Sequence, residues 1–103
     1  MKQVLLAVGA LAAIAVSAPA LADEALAKSK NCMACHTVDK KLVGPAYKDV
    51  AKKFASEAGA ADKLATAIMK GSQGVWGAVP MPPNANVNAD EAKKLATWVL
   101  SLK

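Results

Sequence analysis

The chain has 103 residues, 54% of them apolar but only four aromatic, and a formal charge of +5 in which every cation is a lysine. That length holds one domain at most and excludes a multidomain enzyme, and the composition excludes a collagen, a coiled coil or a low-complexity chain. Alanine supplies much of the apolar share and builds helices more readily than it fills a core, so so small a domain needs something besides its own side chains at its centre.

Residues 1–22 read as an export signal. Lys2 gives a positive start, residues 4–16 form an unbroken apolar run, and Ala20-Leu21-Ala22 fits an A-x-A cleavage site followed at once by Asp23-Glu24. A retained membrane anchor is the rival reading. It needs about 20 apolar residues, and Pro19 weakens the extension that could supply them. Cleavage after Ala22 leaves one domain over residues 23–103, 81 residues long with net charge +4, in the periplasm and without stable membrane insertion.

The mature stretch is predicted to be all-α, because no segment shows the strict alternation of a strand. Residues 23–31 are good helix formers. Residues 46–57 place Tyr47, Val50, Ala51 and Phe54 on one helical face. Residues 61–70 do the same with Ala61, Leu64, Ala65 and Ile68, and Gly71 is a natural stop. Residues 89–102 align Leu95, Trp98, Val99 and Leu102, and Asn88 with Glu91 resembles a capping box. Two segments lack periodicity, 37–45 and 71–87. The second is rich in Gly and Pro, and an irregular loop that long in so small a domain points to function.

Cys32-Met33-Ala34-Cys35-His36 has the C-x-x-C-H spacing of a c-type haem attachment site. Each thiol can add to one vinyl group, and the turn sets both sulfurs along one edge of the ring. His36, the only histidine in the chain, is then placed to ligate the iron. Three other readings compete. The cysteines could form a disulfide in an oxidising compartment. A thioredoxin-like redox pair has the same spacing but needs strands. A zinc site needs four ligands, and this cluster offers three. For a second axial ligand the candidates are Met33, Met69 and Met81. Met33 lies inside the attachment turn. Met69 beside Ile68 reads as ordinary packing. Met81, between Pro80 and Pro82-Pro83, is held in a stiff loop, which a weak thioether ligand requires.

With these residues the mature chain resembles a class I c-type cytochrome of the small bacterial c-551/c-552 type. The resemblance is carried by the attachment motif, by Val43-Gly44-Pro45-Ala46-Tyr47, by Gly71-Ser72-Gln73-Gly74-Val75-Trp76-Gly77, by Val79-Pro80-Met81-Pro82-Pro83-Asn84 and by Trp98-Val99-Leu100-Ser101. It implies four short helices and a long Pro/Gly-rich loop wrapped around one covalently bound haem c, with His36 and Met81 as axial ligands. It further implies that the Pro45 carbonyl accepts the His36 Nδ1 hydrogen, that Trp76 donates to a haem propionate, and that Asn84 hydrogen-bonds near the Met81 sulfur. Three positions depart from the pattern. Ala67 stands where relatives carry an arginine that meets a propionate. Residues 85–88 are one longer. Ala27 replaces an aromatic, leaving Trp98 to fill more of the contact between first and last helices.

A haem at the centre answers the shortage of large side chains, with Phe54, Ile68, Trp98 and Leu102 expected to pack around it. Two axial ligands leave no open position on the iron, so the expectation is a one-electron carrier and not an enzyme. The alternatives are a haem enzyme or gas sensor with a displaceable Met81, and a haem-free disulfide domain. The expected partners are larger periplasmic redox proteins. Resemblance suggests a quinol-oxidising complex as donor and a nitrite reductase or terminal oxidase as acceptor. The carrier is expected to be monomeric and to dock transiently through a basic rim at the haem edge formed by Lys28, Lys30, Lys40, Lys41, Lys48, Lys52 and Lys53. Nucleic acid is not expected as a partner, since the charge is modest and no aromatics interleave the lysines.

Overall fold

A computed structural model describes residues 19–102. Residues 1–18 of the predicted signal peptide lie outside the described residues. The rest is four α-helices and one short 3₁₀ turn: α1 (Pro19–Ser29), the turn (Cys32–Ala34), α2 (Tyr47–Phe54), α3 (Ala60–Lys70) and α4 (Ala89–Ser101). No β-strand occurs among the described residues. None of their helices is long and apolar enough to cross a membrane.

Local chemistry sets the helix ends. Asn31 takes a left-handed φ of 65° just past α1, a conformation its short polar side chain tolerates. The chain thereby turns straight into the 3₁₀ segment. Pro45 and the extended Ala46 open α2, and Asp49 in its first turn suits the positive end of the helix dipole. The periodicity predicts this helix as far as residue 57, but it stops at Phe54. Residues 55–59 form tight turns instead, with Ala55, Glu57 and Ala60 donating three residues back, and Gly59 goes left-handed before α3. α4 has the full capping box: Glu91 N–H donates to the Asn88 side chain at 2.8 Å, and Asn88 N–H to the Glu91 carboxylate at 3.1 Å. Such a cap is worth about 1 kcal/mol. The Asn88 backbone N–H holds the Glu91 carboxyl below its ordinary range, and Lys30 adds to the effect.

α4 is the hub, packing against α1, α2 and α3. The buried cluster joins Ala27, Tyr47, Val50, Ala65, Val87, Ala92, Leu95, Ala96, Trp98 and Val99. Ala27, Ala92 and Ala96 are completely buried, so α1 and α4 approach through small side chains. Trp98 is buried too, and its ring and that of Tyr47 meet edge to face, with centroids 5.3 Å apart and planes at 72°, an arrangement favoured by the aromatic quadrupole. No large side chain is completely buried among the described residues. The interior is thin, as the composition requires.

Ion pairs cross-brace the helices. Lys30 bridges to Glu91 at 3.3 Å and donates to Asn86 O at 2.8 Å, tying the end of α1 to the entrance of α4. Lys93 meets Asp62 at 2.8 Å between α4 and α3, and Lys48 meets Asp39 at 2.7 Å.

Candidate functional site

The 3₁₀ turn puts Cys32, Cys35 and His36 in one compact unit. The Cys35 and His36 amides both donate to Cys32 O, at 3.2 and 3.1 Å. The following loop folds back beneath it: Gly44 N–H donates to Cys35 O at 2.7 Å, and Tyr47 N–H to Thr37 O at 2.9 Å. Both cysteines are free thiols, so they do not form the alternative disulfide. Burial pushes the Cys32 thiol up, with the Tyr47 hydroxyl hydrogen-bonded to its sulfur partly opposing the shift. The Tyr47 phenol is itself pushed well up, first by burial and then by the neighbouring Cys32.

His36 is fixed on several sides. Its Nδ1–H donates to Pro45 O at 2.8 Å, since a carbonyl can only accept. Nε2 is then the unprotonated nitrogen, free to bind a metal. Tyr47 stacks on the imidazole at 4.8 Å and 21°. Gly44 closes in as well. A Cβ there would lie 2.6 Å from His36 Cε1 and 2.9 Å from Nδ1. Gly44→Ala is therefore expected to displace the ring from Pro45 and Tyr47 and to cost about 1–3 kcal/mol, typical of overpacking. Denaturant unfolding of the haem-loaded protein measures it, and unchanged stability would show that the ring yields freely.

The 71–87 segment is pinned at both ends of its excursion. Ser72 and Met81 exchange backbone hydrogen bonds of 3.0 and 2.9 Å in an isolated antiparallel bridge. Gly71, at φ 85°, lets this happen: a Cβ would sit 2.7 Å from Met81 O. Asn84 fastens the far side, its backbone N–H and side-chain Nδ2 both donating to Ile68 O at the end of α3, at 3.1 and 2.8 Å. A longer contact from Nδ2 reaches Pro82 O at 3.5 Å. The Asn84 amide thus serves the loop backbone, and no hydrogen bond from it to the Met81 sulfur occurs among the described residues.

These elements surround a cavity of about 420 Å³, within the range of small-molecule and cofactor sites. Cys32, Cys35, His36, Pro45, Trp76, Met81 and Asn84 all line it. His36 and Met81, 45 residues apart in sequence, share this one space. Met33 and Met69 do not line it and pack against the hydrophobic cluster instead. Ile68 and Trp98 are on the wall as expected, but Phe54 and Leu102 are not. Those two are partly buried against the outside of the core. Helical periodicity marks an apolar face without saying which neighbour covers it. Leu64, Leu95 and Val99 complete the wall from helix faces the periodicity had marked. Lys41 and Asp49 are its charged members; Lys41 belongs to the expected basic rim, and Asp49 was signalled by nothing in the sequence. Ala67 lines it as well, with no charge to offer.

The residues fit a haem c. Two free thiols sit three positions apart on the wall, and a histidine has its Nδ1 already engaged. A thioether is held by its backbone, and most of the lining is apolar. The zinc reading finds no support, because no group of three or more His, Cys, Asp or Glu is placed to hold a metal ion among the described residues. Fold and site together define a small all-α haem protein of the c type.

The comparisons with known proteins agree. The cytochrome c family model matches residues 22–103. Cytochrome c-551 of Pseudomonas aeruginosa is 61% identical over 99 residues, spanning 96% of this chain and 92% of that protein. Cytochrome c-552 of Nitrosomonas europaea is 52% identical over the full length of both. The crystal structure of wild-type Nitrosomonas europaea cytochrome c552 superposes with a TM-score of 0.76 at 56% identity, covering 78% of this chain and 99% of that one. The chain belongs to the cytochrome c family, with the small class I fold and one covalently attached haem c as its cofactor.

Proposed function

We propose that this chain is a periplasmic one-electron carrier working between larger redox proteins, with Cys32 and Cys35 as the thioether tethers and His36 and Met81 as the axial ligands. One observation carries the reading: of the three methionines in the described residues, only Met81 lines the cavity shared by Cys32, Cys35 and His36. The haem supplies an iron that gains and loses one electron. Everything else is the work of the chain. Pro45 O fixes the His36 tautomer and raises the basicity of Nε2. The Ser72 bridge and Asn84 hold the Met81 sulfur in place through the backbone. A soft neutral sulfur favours the ferrous state. With His36 and Met81 both holding the iron, no position on it would remain for a substrate, which is why the reading is a carrier and not an enzyme. Trp76 on the wall offers its indole N–H to a haem propionate.

Cleavage after Ala22 would bring Asp23 and Glu24 into the first turn of the first helix, where acids suit the dipole, and fits export to the compartment where c-type haem is attached. The docking rim is narrower than the sequence implies. Lys28, Lys30 and Lys48 are taken up by Glu24, Glu91 and Asp39. Lys40, Lys41, Lys52 and Lys53 have no carboxylate partner among the described residues. Exposed Leu42 and Val43 adjoin Lys40 and Lys41. An acidic, partly apolar surface on the partner fits such a rim, and brief contact suits a carrier that must leave again.

Visible spectra of the purified protein test the core of this reading. Oxidised protein should show the weak charge-transfer band of ferric iron bound to methionine sulfur, and ferrous protein should be inert to carbon monoxide at neutral pH. A ferrous spectrum that changes promptly with carbon monoxide would favour an enzyme or sensor. The electron-transfer rate with an acidic partner should fall as salt rises; a rate independent of salt would remove the steering role of the lysines.

A further inference from the structure

Lys53 is engaged in an unusual way. Asp49 stands one turn before it on α2, the spacing at which acid and lysine commonly pair. Yet no carboxylate lies within ion-pair distance of Lys53 among the described residues. Its ammonium sits instead over the Trp76 ring, 5.6 Å from the centroid. Trp76 is a cavity wall. An indole N–H with a cation on its face is a receptor for a carboxylate: one group donates, the other supplies opposite charge. Haem c brings two carboxylates into this cavity, and the chain has no arginine to meet them.

The charges facing the cavity are few. The 37–45 loop contributes Lys41, and α2 contributes Asp49 and the phenol of Tyr47, which burial keeps protonated. The lining residues of α3 and α4 are uncharged, and the 71–87 segment contains no titratable side chain at all. The attachment turn contributes His36, whose Nδ1 is committed to Pro45. On α2 itself, Lys52 points off by about 100° of helix rotation.

We propose that Lys53, held on the Trp76 indole, is the counter-charge for the haem carboxylate that lies at the Trp76 wall. The proposal rests on the haem-carrier reading and adds to it a residue outside the binding cavity. Lys53 is a positioning residue, acting on the carboxylate and through it on the iron. A nearby cation favours the ionised carboxylate. Reduction adds negative charge at the haem, so the reduction potential falls as pH rises through the carboxylate's titration. Lys53 holds that fall at lower pH.

The test is the midpoint potential against pH for haem-loaded wild type, Lys53→Gln, Lys53→Arg and Lys52→Gln. Visible spectra come first: an altered spectrum in the wild type reports failure of the haem reading itself, independently of Lys53. The proton-linked fall is expected about one pH unit higher in Lys53→Gln, and near its wild-type place in Lys53→Arg and Lys52→Gln. A fall at the same pH in Lys53→Gln overturns the proposal. So does an equal shift in Lys52→Gln, which would mark a general effect of net charge, and so does a potential independent of pH in Lys53→Gln.

Discussion

A Cys32→Ala/Cys35→Ala chain, unable to hold haem covalently, is expected to lose most of its helix and to show no cooperative melt by circular dichroism. The reason lies in what its core contains. Four of the ten clustered residues are alanines, and no large side chain is completely buried among the described residues. Helices of 8 to 13 residues are too short to persist alone in water, so they depend on packing. Packing is what the cavity interrupts. A space of about 420 Å³ leaves the side chains that line it without packing partners, and the loss grows with its volume. A flat apolar cofactor bound there would convert the same walls from a liability into buried apolar surface. Near-native helix content with a sharp melt in this variant would mean that the α1–α4 contact and the Tyr47–Trp98 pair suffice without it.

That dependence explains what could be read from the sequence and what could not. The helices were legible because their apolar positions recur at helical spacing, and the ends marked by Gly71 and the Asn88–Glu91 box were legible because a backbone need dictates the residue. The attachment turn was legible because its spacing is itself a chemical requirement. The end of α2 at Phe54 was not, since the turns after it use ordinary residues held by three-residue hydrogen bonds. Phe54 and Leu102 were placed on the wrong neighbour for a related reason: an amphipathic face has a direction only once its partner is in position. Tyr47, stacked on His36 and meeting Trp98 edge to face, ties the attachment turn to α2 and the distant α4, and Lys53 over Trp76 joins α2 to the 71–87 segment; neither contact is written in local spacing. Lysine pairing was also invisible. Seven lysines look alike as letters, but Glu91 and Asp39, from other segments, pair with Lys30 and Lys48, while Glu24 pairs with Lys28 one turn along the same helix.

Met81→Ala is expected to change the chemistry while sparing the fold. The bonds that pin this position run through its backbone, from Ser72 N–H to Met81 O and from Met81 N–H to Ser72 O. Alanine keeps both, and Asn84 still anchors the loop to Ile68 O. The sulfur alone is lost. Neither Met33 nor Met69 can replace it, because both pack against the hydrophobic cluster instead of lining the cavity. The ferric charge-transfer band should disappear, and the ferrous protein should bind carbon monoxide promptly at neutral pH. The midpoint potential should drop by on the order of 0.1 V, well inside the roughly 0.8 V that axial ligands span. Met81→His separates the two consequences of the change. It refills the position with a nitrogen ligand that favours ferric iron, so the potential should fall while carbon monoxide stays excluded. A Met81→Ala protein that keeps its charge-transfer band and ignores carbon monoxide would show that another residue caps the iron, and the carrier reading would lose the observation on which it stands.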